Sequence, residues 1–180
     1  MSANQQALFT ATGASAPGLA LTNLGAESGT TITTIVSVPA GCLIVVGYAN
    51  STATPTDSSG NTYRLAQTVL SPIGKRLSLY YCANCLALPS GSSITTSGAS
   101  QGTAAFTGGI LTTSPLDQAV AASGTGTNIS VTSGVPAESG ELWIGIMVLD
   151  TTATLTNPSG YLPPLNSPIA GVLLSGNKIA

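Results

Sequence analysis

No apolar period of 3.6 residues persists anywhere in this chain. Its apolar residues come in short β-branched or aliphatic runs, cut apart by Gly, Pro, Ser and Asn. Thr31-Ile32-Thr33-Thr34-Ile35-Val36-Ser37-Val38 roughly alternates and stops at Pro39-Ala40-Gly41. Cys42-Leu43-Ile44-Val45-Val46-Gly47-Tyr48-Ala49 is continuously apolar, as expected of a strand covered on both faces. Ser51 to Gly60 has loop composition, and Ser71-Pro72-Ile73-Gly74 is a turn between Asn61–Leu70 and Arg76–Ala83. In the latter, Leu77, Leu79 and Tyr81 alternate with Arg76, Ser78 and Tyr80, a period-2 strand with one aromatic face exposed or at an interface. Ser93–Thr96, Thr103–Thr112, Thr127–Thr132 and Glu141–Leu149 continue the pattern, with Gly108-Gly109 as a bulge candidate. Glu141–Leu149 is the strongest core strand and places Trp143 in the core.

One segment breaks the pattern. Ser114-Pro115-Leu116-Asp117 offers a cap, Pro at the first helical position and an acid in the first turn, with Gly124 beyond Ala122. It predicts a helix of at most two turns over 114–122, or a loop. Residues 1–29 are small and polar and read as an arm or first edge strand. Residues 151–180 carry Pro158, Pro163, Pro164 and Pro168, which forbid central-strand pairing there, and Val172–Leu174 reads as a last edge strand. Residues 30–150 are then the domain. Roughly eight to ten short strands at this spacing predict an all-β fold, an antiparallel β-sandwich or jelly roll with extended N- and C-terminal arms.

Composition narrows the function. The 180 residues include no histidine, four Lys+Arg and six Asp+Glu, so 6% are charged against about 25% in ordinary domains. Disorder pairs low hydrophobicity with high net charge. Here 43% of residues are apolar and the net charge is −2, so the chain is expected to fold. Lys75-Arg76 is the single basic pair, too little to replace the counterions of a phosphate backbone, which excludes nucleic acid as a partner. The longest strongly apolar stretch, Leu142–Leu149, falls well short of the ~20 residues of a membrane-spanning helix. Met1-Ser2-Ala3-Asn4-Gln5-Gln6 has neither the basic start nor the apolar segment of a secretory signal. With the odd set Cys42, Cys82 and Cys85, it points to synthesis in a reducing cytoplasm. A Ser/Thr/Gly-rich surface of low charge is nonetheless that of an extracellular protein. A phage virion component reconciles the two, being made in the host cytoplasm and released by lysis.

A Ser-His-Asp triad cannot be built without histidine. A carboxylate pair must be drawn from Glu27, Asp57, Asp117, Glu138, Glu141 and Asp150, most of which sit at loop or strand boundaries where single acids cap or solubilise. The chain is therefore read as non-enzymatic and without a cofactor. Cys82-Ala83-Asn84-Cys85 has redox or half-zinc spacing, but the further ligands of a zinc site are missing, so the expected role is two buried thiols at a strand end. Asp57-Ser58-Ser59-Gly60-Asn61 starts like a calcium loop without its closing bidentate acid, and reads as an Asp-initiated turn with Gly60 at positive φ. No metal site is expected. Tyr63, Tyr80 and Tyr81 are the candidate interface or ligand contacts, since Tyr80 and Tyr81 point to opposite faces of their strand.

The segments Asp57-Ser58-Ser59-Gly60-Asn61-Thr62-Tyr63, Leu79-Tyr80-Tyr81-Cys82-Ala83-Asn84, Ala122-Ser123-Gly124-Thr125-Gly126-Thr127 and Glu141-Leu142-Trp143-Ile144-Gly145 follow one another in a familiar order. Together they resemble a β-sandwich module that recurs in phage and bacterial surface proteins, over roughly Thr31 to Leu149. The resemblance implies a structural or adhesive module without conserved chemistry. The expected function is a virion structural protein, foremost a capsid decoration (cement) protein bridging capsomers. Its expected partners are the major capsid protein or another virion protein and further copies of itself, as a trimer. The alternatives are a glycan- or receptor-binding head or tail fibre module, and a tail-tube, neck or filament subunit.

Overall fold

The structure, a computed structural model, describes residues 2–9, 21–108, 114–124, 132, 142–149 and 172–175, with side chains for 21–108, 114–124, 132, 142 and 144–147. Among the described residues twelve strands run in chain order: β1 (Ser2–Phe9), β2 (Thr22–Ser28), β3 (Thr31–Thr33), β4 (Leu43–Ala49), β5 (Thr56–Asp57), β6 (Arg64–Leu70), β7 (Arg76–Cys82), β8 (Ser93–Thr95), β9 (Gln101–Thr107), β10 (Leu116–Gly124), β11 (Leu142–Leu149) and β12 (Val172–Ser175). They form three sheets with orders β10-β1-β11-β12, β2-β9-β4-β7-β6 and β3-β8-β5, and every pairing is antiparallel. No helix occurs among the described residues. The molecule is all-β and its large sheets form an antiparallel sandwich.

The five-stranded sheet is the middle of three layers, which explains the unbroken apolar run of β4. Leu43, Val45 and Ala49 of β4, with Leu77, Leu79 and Tyr81 of β7 and Ala105 of β9, pack against Leu142, Ile144 and Ile146 of β11 in the four-stranded sheet. The intervening residues point the other way. Ile44, Val46, Tyr48, Tyr80, Cys82 and Ala104 meet Ile32 of β3, Ile94 of β8 and the loop residues Val38, Tyr63, Cys85 and Leu88. Each buried Val, Leu or Ile side chain contributes about 1.5–3 kcal/mol. All seven residues of β4 are buried, so this strand is where both cores meet.

Two glycines make the close layering possible. A Cβ on Gly47 would overlap Ile146 of the facing sheet, and one on Gly102 would overlap the Tyr48 ring while lying 3.0 Å from Ile32 Cδ1. Both are strand interiors where a side chain is absent because a neighbour occupies its place.

The structure departs from the sequence reading at several points. The helix expected over 114–122 is instead β10, paired with β1 from Ser2↔Gly124 to Phe9↔Leu116. The local cap-and-proline signature is overridden because a nine-residue strand gains a full ladder against β1, a tertiary term that intrinsic propensity cannot match. Within 1–29, β2 is an edge strand, whereas β1 lies between β10 and β11. The alternating run from Thr31 is paired only as far as Thr33; Val38 then makes a single bridge to Leu88. β12 forms the edge expected of Val172–Leu174. Of the strand expected over 127–132 only Thr132 is described, and it is in no strand; the Gly109 half of the bulge, the Trp143 side chain, Glu138, Glu141, Asp150 and the prolines of the tail lie outside the described residues.

Candidate functional site

The densest polar constellation is built on the loop that joins β5 to β6. Asp57 Oδ1 accepts the amides of Ser59 (2.9 Å) and Asn61 (3.1 Å), and Oδ2 accepts Asn61 Nδ2 (2.9 Å) and the Tyr63 hydroxyl (2.8 Å). Gly60 takes φ 77°, the turn geometry expected of it. Asn61 carries the chain of bonds onward. Its Oδ1 accepts the Leu86 amide at 2.6 Å and the Cys82 thiol at 3.7 Å, and Nδ2 also reaches the Leu86 carbonyl at 3.3 Å. Ser59 Oγ donates to the Ala87 carbonyl at 2.8 Å. The loop is thereby pinned to the segment after β7.

Burial alone pushes the Asp57 carboxyl up. The Asn61 side chain and amide, the Tyr63 hydroxyl and the Ser59 amide outweigh it and hold the group below the usual carboxylate range. Burial, reinforced by the Asp57 charge, drives the Tyr63 hydroxyl far above its ordinary value. The alternate oxygens that resembled a calcium loop are thus alternate donors at 59, 61 and 63, wrapped around one carboxylate. A hard cation needs six or more oxygens. Among the described residues no group of three or more Cys, Asp or Glu is placed to hold a metal.

Cys42, Cys82 and Cys85 are buried free thiols. Cys82-Ala83-Asn84-Cys85 turns off the end of β7 through Asn84 at φ 51°, and Cys85 pairs with the start of β4 through Cys85 N to Cys42 O (3.0 Å) and Gly41 N to Cys85 O (2.8 Å). Cys85 Sγ donates to the Pro39 carbonyl at 3.5 Å. Burial, with the Asp57 charge, pushes Cys82 up to about 11; burial pushes Cys85 up to about 11 and also raises Cys42. Protonated thiols in such surroundings are poor nucleophiles, the opposite of an activated pair at a helix N-terminus.

The three tyrosines named from the sequence are packing residues within this chain. Tyr63 is 4% exposed, Tyr80 1% and Tyr81 8%. The outward aromatic face expected of β7 is covered because Tyr81 faces the four-stranded sheet while Tyr80 faces the small one.

A set of hydroxyls that sequence reasoning did not single out stitches the small sheet and its loops to the middle layer. Ser78 Oγ donates to the Ser51 carbonyl (2.7 Å), Ser51 Oγ to the Ser97 carbonyl (2.7 Å) and Thr96 Oγ1 to the Ala53 carbonyl (2.7 Å). Tyr48 OH reaches the Ile94 carbonyl at 2.9 Å and Thr34 Oγ1 that of Pro89 at 2.8 Å. Their only sequence signal is a polar residue inside or beside an apolar strand, such as Ser78 between Leu77 and Leu79.

Outward, the body offers strand edges and a few exposed aliphatic side chains: Ile35, Val36, Leu65, Leu70, Ile73 and Leu86. No helix among the described residues is long and apolar enough to cross a membrane. Comparison of the chain with family models, with curated proteins and with solved structures returns no match.

Proposed function

We propose that this chain is a non-enzymatic structural protein of a phage virion, a capsid decoration protein that stabilises the shell by bridging neighbouring capsomers. The observation that carries the reading is where its reactive groups go. Tyr48, Tyr63 and the three thiols are buried, and half-buried Asp57 is held by four bonds from its own loop, one of them from Tyr63. Such a body is a rigid block whose outward assets are sheet edges and aliphatic patches. Those are the means of adding buried area between neighbours, which stabilises an assembly by mass action.

The test compares virions with and without the protein. Particles lacking it should release their nucleic acid at a lower temperature than complete ones, and adding purified protein back should restore the difference. Equal heat resistance would end the cement reading. A filament or tail-tube subunit is the second reading, favoured by the edge position of β6 and β12 in their sheets. Rings or fibres formed by the purified protein alone would favour it.

A further inference from the structure

The middle sheet has two edges, β2 and β6, and they differ in charge. Arg64, Lys75 and Arg76 are three of the four cations of the whole chain, and all lie on the β6–β7 hairpin. No Asp or Glu occurs between Asp57 and Asp117. At the other edge Glu27 is exposed and is the sole charged residue of β2.

Apolar exposure follows the same division. Leu65 (51% exposed) and Leu70 (50%) stand on β6, and Ile73 projects from the turn that follows it. In register Leu65 lies opposite Tyr80 and Leu70 opposite Arg76, so both point to the small-sheet side, where they stay half open to solvent. Beside β2, the Ile35 amide bonds the Leu24 carbonyl at 2.9 Å, which seats Ile35 (59% exposed) and Val36 against that edge. Five of the six large apolar side chains exposed among the described residues therefore flank the two opposite edges of one sheet.

We infer that these edges are the two halves of a head-to-tail contact between copies of this chain. The basic hairpin of one molecule docks on the Glu27 edge of the next. Leu65, Leu70 and Ile73 are covered by Ile35 and Val36 of the neighbour, and Arg76, which the register places at the same end and on the same face of the sheet as Leu70, lies at the rim toward Glu27. Hairpin-to-hairpin pairing would set the cations of one copy against those of the other, so like charges select the heterologous arrangement. A heterologous contact closes into a ring or runs on as an open chain, depending on the rotation per step.

The experiment is sedimentation of the full-length protein over a range of concentrations, at low salt and at roughly 1 M salt, where the Debye length is about 3 Å. Wild type should self-associate, and more weakly at high salt. Glu27→Lys, and separately Arg76→Glu, should each weaken association about tenfold or more while leaving far-UV circular dichroism unchanged. An equimolar mixture of the two variants should recover it, because each then supplies the charge the other has lost. Leu65→Thr with Leu70→Thr should weaken association at both salt concentrations.

Carbodiimide coupling of a mixed light- and heavy-isotope sample gives a second readout. Lys75 and Lys178 are the only lysines, so a cross-link between Lys75 of one copy and Glu27 of another identifies the contact directly. A monomer at every concentration, an assembly indifferent to the charge reversals, or a mixture that fails to recover would each overturn the inference.

Discussion

The two faces of β4 share an aliphatic base but differ in how many directional bonds cross them. Toward the four-stranded sheet the contact is aliphatic, Leu43, Val45, Leu77 and Leu79 against Leu142, Ile144 and Ile146. Two buried hydroxyls find no hydrogen-bond partner among the described residues, Thr103 Oγ1 beside Gly47 on that side and the Tyr80 hydroxyl on the other. Toward the small sheet aliphatic Ile32, Ile44, Val46, Leu88 and Ile94 are joined by Tyr48, Tyr63, Tyr80 and the thiols, and the contact is threaded by bonds from Tyr48, Ser51, Ser78, Thr96 and the Asp57 group. One face is specified by volume and the other by identity. The small sheet has three strands of only two or three residues each, too little apolar area to hold itself, so it depends on packing and bonds to the middle layer.

Substitutions that keep size but change chemistry separate the two faces, and truncations rank them. Leu79→Ala should cost the most, about 4 kcal/mol in urea unfolding, through lost burial plus a cavity. Leu79→Met should cost under about 1.5 kcal/mol, because the face counts volume. Asp57→Ala should cost about 3 kcal/mol, since four donors lose a charged acceptor. Here the near-isosteric Asp57→Asn should recover little of that loss. If Asp57→Asn proved as mild as Leu79→Met, the contrast between the faces would collapse. Tyr48→Phe should cost about 1 kcal/mol, one buried hydrogen bond to Ile94.

pH sharpens the same contrast. The folded carboxyl of Asp57 sits below its unfolded value of about 3.9, so its stabilisation is complete above that pH and is lost as pH falls further. Asp57→Asn should flatten this acid limb of the stability profile, and Leu79→Met should leave it unchanged. At the alkaline end Cys82 and Cys85, raised to about 11, favour the folded state below an unfolded thiol value of about 8.5. That contribution disappears as pH climbs from there toward 11, read as a fall in urea midpoint. The smallest effect belongs to alkylation: native thiols should react far more slowly at neutral pH than those of protein unfolded in urea, measured by intact mass.

The aliphatic face was the legible one. The run from Leu43 to Ala49 and the alternation from Leu77 to Tyr81 predict strands, and continuous apolarity predicts cover on both sides, because burial of area leaves a periodic mark. The bonded face left weaker marks. Asp57 to Asn61 reads as a turn, correctly for Gly60, but nothing local tells that Asn61 will meet Leu86 across 25 positions or that Tyr63, named as a contact residue, will turn inward to Asp57. β10 was misread for a related reason: its partner lies more than a hundred residues away, while its cap signal is next door. Tyr80 and Tyr81 looked half exposed because a period-2 strand does not announce a third layer.

The place of β1 has a consequence for how the polypeptide is made. Both neighbours of this N-terminal strand, β10 and β11, are synthesised long after it, and its ladders with them run across nearly the whole chain. At 5–20 residues per second, β1 leaves the ribosome on the order of ten seconds before β11 exists. The middle and small sheets, contiguous from residue 22 to 107, can assemble in that interval, with Leu43, Val45, Leu77 and Leu79 bare until the last sheet closes over them. Nascent chains of this protein therefore pass through a half-finished sandwich whose apolar side is bare until the last sheet closes, the stage at which it is most open to sticking to another chain.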